Sequence, residues 1–231
     1  MPTIVFASPK GGVGKSTSAV VLASELAQSG AEVAIIDADP NRPVSKWGNL
    51  EGKPSNLTVV SDATEATVID EIETWSARVP FVVVDLEGTA SMTVAYAISR
   101  ADLVVIPVQG SQLDAAEAAK AIRLIRQQER AFSRRIAYAV LFTRTSAVIR
   151  PRLLGHIRRE LNDAGVPILT VQMHEREAFR AIFSFGGTIQ GLQPSQVSNL
   201  AAAVSNARAL AAEVLTMLRD SASSDQKGRA A

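Results

Sequence analysis

The sequence predicts a doubly wound α/β domain, a mostly parallel sheet with helices on both faces. Three observations carry that expectation. Short β-branched runs alternate with stretches of helical periodicity along nearly the whole chain. The runs are almost continuously apolar, as strands covered on both faces must be. No linker long enough to divide two domains interrupts the 231 residues, a length that supports one substantial core.

The expected strands, in order, are Thr3–Ala7, Val33–Asp37, Leu57–Val60, Phe81–Asp85, Leu103–Pro107, Ile136–Phe142 and Ile168–Val171. Helical patterns fill the gaps at Lys15–Gln28, Ala63–Ala77, Ser91–Ser99, Leu113–Ala131 and Arg152–Ala164. Gly30 and Gly165 stand where helix C-termini favour glycine. From Pro194 onward Val197, Leu200, Val204, Ala211, Leu215 and Leu218 recur at helical spacing. After Arg219 the polar stretch "DSASSDQKGRAA" (220–231) reads as a disordered tail, which leaves 1–219 as a single domain. Trp47 and Trp75 are expected against the sheet edge.

Composition excludes several classes. There is no cysteine, so disulfides, thiolate metal sites and iron–sulfur clusters are ruled out. No apolar run reaches the length of a membrane span, and the first residues do not resemble a signal peptide, so the expected location is cytoplasmic. His156 and His174 lack partners at metal-ligand spacing and read as structural. The net charge of +1 conceals an asymmetry: between Arg123 and Arg159 lie ten arginines and one acid, Glu129. Such segregation points to an anionic partner larger than a nucleotide.

The chemistry is concentrated in "FASPKGGVGKST" (6–17), which follows a strand and opens a helix. Gly14, Lys15 and Ser16 end a phosphate-loop pattern whose first glycine is replaced by Pro9, followed by a second lysine, Lys10. In such a loop, glycines let backbone N–H groups converge on phosphate oxygens, and the helix N-terminus adds partial positive charge. Lys15 then reaches the β- and γ-phosphates, Ser16 ligates Mg²⁺ and Thr17 serves the α-phosphate. A dinucleotide-binding turn is the competing reading, with Asp37 as the ribose acid. It lacks its third glycine and has no use for Lys15.

"KGGVGKST" resembles the deviant phosphate loop of the ParA/MinD ATPases, where the extra lysine crosses a dimer interface to the partner's nucleotide; Lys10 matches it. "IIDADPN" (35–41) resembles the family's D-x-D-P motif, and "FVVVDLEG" (81–88) its Walker B strand. The resemblance covers about residues 3–218 and implies a P-loop NTPase fold of the deviant Walker A type. It implies ATP held by Lys10, Gly11, Gly12, Val13, Gly14, Lys15, Ser16 and Thr17. Mg²⁺ falls to Ser16, Asp37 and Asp85, and the attacking water to Asp39, with Lys10 and Lys15 as the other catalytic groups. Phosphoryl transfer agrees, since it needs an oriented water and neutralised charge more than covalent help. Ser8-Pro9 and Leu86-Glu87 depart from the family's usual Asn-Gln and Thr-Pro, and Glu87 reads as a turn residue.

Cysteine-using branches are excluded, only Tyr96 and Tyr138 speak for a tyrosine-kinase branch, and the tail has no apolar membrane face. The DNA-associated ParA branch remains, with "DADPNRPVSKW" and "MHEREAF" similar to its VirC-type members. This implies an ATP-dependent homodimer, nucleoid-associated when ATP-bound, that binds DNA non-specifically and is stimulated by a ParB-like or other adaptor. Arg123, Arg126 and Arg130 share a helical face, and with Arg150, Arg152, Arg158 and Arg159 they are the candidate DNA contacts. Nearby aromatics are too few for base stacking, so the contact is expected to ignore sequence. The alternatives are a VirC-type factor recruiting a relaxosome for conjugative transfer and a metabolic P-loop ligase resembling dethiobiotin synthetase.

Overall fold

In the computed structural model, which describes residues 1–88, 91–148 and 152–229, the chain forms a seven-stranded sheet in the order β3-β2-β4-β1-β5-β6-β7. The strands are β1 (Thr3–Phe6), β2 (Val33–Ala38), β3 (Leu57–Val60), β4 (Phe81–Leu86), β5 (Leu103–Val108), β6 (Ala137–Thr145) and β7 (Met173–His174). Every pairing is parallel. The order reverses around β1, whose neighbours β4 and β5 belong to later parts of the chain, and that reversal opens the crevice ligands use in such folds.

Alternation along each strand feeds two cores. Ile4 and Phe6 enter one with α1 (Lys15–Gln28), α7 (Glu177–Phe185) and α8 (Leu200–Arg229). Val5 and Ala7 enter the other, with α3 (Val68–Ser76), α4 (Met92–Arg100), α5 (Gln112–Phe132) and α6 (Arg152–Asp163). Strands β1, β2, β4 and β5 are therefore buried on both sides, while the edge strand β3 exposes Thr58.

Several elements differ from expectation. Two short helices went unread, α2 (Pro43–Gly48) and α7. The last strand is not Ile168–Val171. Ile168 makes a single bridge to Val140, and the paired residues are Met173–His174. The cause is a carboxylate: Thr170 and Val171 donate their backbone N–H to Glu213 of α8 (2.6 and 2.8 Å), so those donors are spent outside the sheet. Helix α8 begins at Leu200 rather than Pro194, after Asn199 with φ 53°. It then runs to Arg229, through the stretch expected to lack order, where Gly228 is the only helix breaker. Trp47 is wholly buried in the first core, its indole N–H donating to the Gly187 carbonyl (2.9 Å). Trp75 packs half-buried on the second core beneath the Arg78 guanidinium. No helix among the described residues is long and apolar enough to cross a membrane.

Candidate nucleotide-binding site

The loop between β1 and α1 sits at the C-terminal edge of the sheet. Gly12 and Gly14 adopt φ 73° and 90°, the left-handed region where a side chain is strained, and Gly14 is the residue from which α1 starts. Two carbonyls of the loop are tied down from neighbouring strands. Gln109 donates its side-chain amide to the Gly12 carbonyl (2.8 Å), and the Thr143 hydroxyl lies 2.7 Å from the Val13 carbonyl and 3.1 Å from that of Val108. With the carbonyls held, the N–H groups are what the loop presents. Among the described residues, none accepts a hydrogen bond from the backbone N–H groups of Gly11 to Thr17. A row of unsatisfied donors at a helix N-terminus fits a polyphosphate.

Lys15 is buried, and its Nζ donates to the Lys10 carbonyl (3.1 Å). Burial pulls its pKa below the ordinary lysine value, opposed by the charges of Asp85, Asp39 and Glu87. Lys10 is half-buried and engaged within the protein. Its peptide is backed by Gly88, where an added Cβ would stand 2.9 Å from the Gly11 nitrogen and 3.2 Å from the Lys10 carbonyl carbon. The segment after β4 is thus pressed against the segment that carries the second lysine.

The three aspartates fare differently. Asp85 and Asp37 are register partners on β4 and β2, both buried. Neither oxygen of Asp85 meets the geometry of a hydrogen bond within the described protein, although the Ser16 hydroxyl stands close enough to favour its charged form. Desolvation dominates and, with Asp37 nearby, pushes its pKa up to about 8. An orphaned buried carboxylate beside a phosphate loop and the Ser16 hydroxyl fits a divalent cation completed by phosphate oxygens. Asp37 is committed elsewhere: Oδ2 accepts from the Ser45 N–H and hydroxyl (both 2.7 Å), holding the first turn of α2, and Oδ1 accepts only a long bond from the Asp39 N–H (3.3 Å). Asp39 accepts from the Asn41 N–H (2.8 Å) and side-chain amide (3.0 Å), both at Oδ1. Among the described residues no cluster of three metal-ligating side chains forms a cage by itself.

A cavity of about 40 Å³ adjoins Gly14 and Thr17, lined by Arg144 of β6, His174 of β7 and Arg176 of the β7–α7 connection. Arg144 has φ 51° at an irregularity between Thr143 and Thr145, a strained backbone that re-aims the chain beside the loop. His174 has its pKa lowered by burial and by Arg176, and its Nδ1 pairs with the Thr145 hydroxyl (2.9 Å). Ser45, His174 and Arg176 fall in the two stretches that resemble VirC-type members, without a role assigned there, whereas only their place near strand ends could have drawn notice to Gln109, Thr143 and Arg144.

The described candidate DNA arginines come from two neighbouring helices, α5 and α6. Arg123, Arg126 and Arg130 line a basin at the opposite end of the sheet. Arg152, Arg158 and Arg159 lie on α6, where His156 pairs with Glu160 (3.2 Å). Arg150 lies outside the described residues.

Residues 1–223 match the family model of the VirC1 protein. A ParA protein of Rhizobium radiobacter is 43% identical over 220 residues, 95% of this chain and 99% of that one. The chain belongs to the VirC1/ParA family. Its fold is that of ParA/MinD P-loop NTPases more widely. The apo McdA of Cyanothece superposes with a TM-score of 0.76 at 17% identity, over 93% of this chain and 99% of that one. MinD of Pyrococcus horikoshii, solved with Mg-ADP, superposes with a TM-score of 0.70 at 14% identity, over 92% and 95%. Placing the VirC1/ParA motifs on this fold brings Lys10, Lys15, Ser16, Asp37, Asp39 and Asp85 around one loop.

Proposed function

We propose that this chain is a ParA-type ATPase that closes into a sandwich dimer over ATP, binds DNA without sequence preference, and hydrolyses ATP slowly to partition or position a cargo. The observation that carries the reading is the pairing of an undonated row of N–H groups with the orphaned carboxylate of Asp85 across Lys15. The N–H row and Lys15 hold the phosphates. Ser16 and Asp85 hold Mg²⁺, with Asp37 limited to its Oδ1; when bound, the ion neutralises phosphate charge. Asp39, fixed through Oδ1, keeps Oδ2 to orient the attacking water. Met92, Leu113, Val148 and Leu153 all follow strand C-termini and are exposed on the nucleotide end, which suits a second copy of the chain. A ParB-like or other adaptor then stimulates hydrolysis and releases the DNA.

Lys10 tests the dimer. One charge-assisted contact across a desolvated interface is worth about 1.5–3 kcal/mol, and a symmetric dimer makes it twice. Lys10→Ala should weaken dimerisation by roughly two to four powers of ten while retaining monomer nucleotide binding. Light scattering with a slowly hydrolysed ATP analogue reads this directly. A Lys10→Ala protein that dimerises like wild type removes the sandwich from the mechanism.

The VirC1 family match over residues 1–223 favours a second reading, a conjugative transfer factor whose dimer recruits a relaxosome. Asp39→Ala separates the two: a hydrolysis-deficient dimer keeps its role in transfer and loses it in partition.

A further inference from the structure

Glu87 directly follows β4 and is half-buried. A turn role would have its carboxylate bond nearby backbone groups. Among the described residues it accepts no hydrogen bond and joins no ion pair. Its place follows from the sheet. Strands β2 and β4 run parallel in the register Asp37↔Asp85 and Ala38↔Leu86, and continuing by one residue sets Asp39 opposite Glu87. Neighbouring strands lie about 4.8 Å apart, and two residues advance a parallel strand by about 6.6 Å. The strand ends therefore carry two rows of carboxylates. Asp37 and Asp85 form the inner row, and Asp39 and Glu87 form the outer one.

Alternation decides which way the outer row faces. Val84 and Leu86 enter the second core, whereas Val83 enters the first, with α1. Odd positions of β4 thus face α1, and Asp85 does so beside the Ser16 hydroxyl. Glu87 is the next odd position. The charges of Asp85, Asp39 and Glu87 all act on the buried Lys15 ammonium. Gly88 seats the segment on the loop, where an added Cβ would stand 2.9 Å from the Gly11 nitrogen. The carboxylates do not close into a cage, since no cluster of three metal-ligating side chains forms among the described residues.

In the ATPase proposed above, on which this inference rests, Lys15 meets the β- and γ-phosphates. A carboxylate beside that lysine repels phosphate, so its use there is to accept a proton or a hydrogen bond from water. Asp39 has Oδ1 occupied by the Asn41 N–H and side-chain amide, which leaves it one oxygen for that water. Side chains on strands ~4.8 Å apart are spaced for one bridging water, with two bonds of about 2.7 Å. We propose that Glu87 is a further catalytic residue, the base that takes a proton from the attacking water while Asp39 holds the other hydrogen. The water oxygen bonds to the γ-phosphorus as the bond to the bridging oxygen breaks, and that electron pair leaves with ADP beside Lys15. The proton on Glu87 then passes to phosphate or solvent, which restores the carboxylate.

The test uses the full chain with ATP and Mg²⁺ under single-turnover conditions. Glu87→Gln keeps the side-chain shape and removes the base. Its rate at saturating ATP should fall by about 10²-fold or more, the range a positioned base supplies. Affinity for a slowly hydrolysed ATP analogue should hold or tighten, because a charge that repels the γ-phosphate has gone. Glu87→Ala should be as slow, and added formate, a carboxylate small enough to enter the vacated space, should raise its rate several-fold where chloride at equal ionic strength does not. Thermal melts of both variants should match wild type, since no described bond depends on the carboxylate. A wild-type rate in Glu87→Gln overturns the proposal. Parallel loss of analogue affinity and rate, with no response to formate, assigns Glu87 to shaping the loop and overturns it too. Either result leaves the ATPase standing, whereas a wild-type chain that binds no analogue or hydrolyses no ATP refutes the function proposed above along with this role.

Discussion

Gly88→Ala probes the contact between the segment after β4 and the loop that carries Lys10. The new Cβ would lie 2.9 Å from the Gly11 nitrogen, 3.1 Å from its Cα and 3.2 Å from the Lys10 carbonyl carbon. All three are backbone atoms, so no flexible side chain can swing away. Ordinary contact begins at 3.4 Å, so one of the two segments must move by ~0.5 Å. Overpacking of this kind costs about 1–3 kcal/mol, and each kcal/mol lowers the melting temperature of a chain this size by roughly 2–4 °C. A misplacement of about 1 Å near reacting groups costs ~10²-fold in rate, so half of it costs about tenfold. Phosphate release should therefore fall about tenfold while the fold persists. Gly48→Ala is the matched control, since its Cβ would meet Val59 Cγ2 at 2.7 Å away from the loop. It should lower stability and leave turnover alone. Steady-state phosphate release and thermal melts on the two variants decide the matter. Equal turnover in Gly88→Ala and wild type would refute the reasoning, because the loop would then tolerate the displacement.

Asp39→Ala should bind ATP and dimerise yet hydrolyse at the background rate, so DNA-bound dimers persist; wild-type turnover in that variant excludes Asp39 from orienting the water. Asp85 has its folded pKa raised to about 8 from 3.8, so the folded protein holds a proton that the unfolded chain releases. Its contribution to stability is full below the unfolded value and is lost as pH rises from about 4 to 8, by at most ~1.4 kcal/mol per pH unit. Denaturant unfolding without nucleotide or metal should show that decline, and Asp85→Asn should flatten it; an identical pH profile in the variant removes Asp85 as its source. Thr143→Val deletes the hydroxyl beside the Val13 and Val108 carbonyls, a loss of about 0.5–1.5 kcal/mol. Calorimetry should find ATP affinity several-fold weaker, and unchanged affinity would mean that the loop holds its shape without strand β6.

The deviant loop, the D-x-D-P segment and the Walker B strand were readable because each is a run of neighbours in the chain, and local spacing encodes their chemistry. The same holds for six of the seven strands: β1, β2, β4, β5 and most of β6 are buried on both faces and read as apolar runs, and the edge strand β3 kept its apolar run although Thr58 is exposed. The seventh was misplaced because the decisive partner, Glu213, lies 43 residues from Thr170 and leaves no local trace. Asp37 and Asp85 look alike in sequence, each an acid ending an apolar strand. Only folding separates them, by giving Asp37 the Ser45 hydroxyl and N–H and leaving Asp85, among the described residues, with nothing closer to a partner than the nearby Ser16 hydroxyl. Likewise the arginine-rich segment announces an anionic partner through charge alone. Its division between a basin at the foot of the sheet and the face of α6 follows from where β6 ends one helix and begins the next. Sequence determined the chemistry that each segment carries, since that depends on side chains a few positions apart. Tertiary structure decided which carboxylate stays unpaired and which cations stand together, because those outcomes depend on groups brought close from distant parts of the chain.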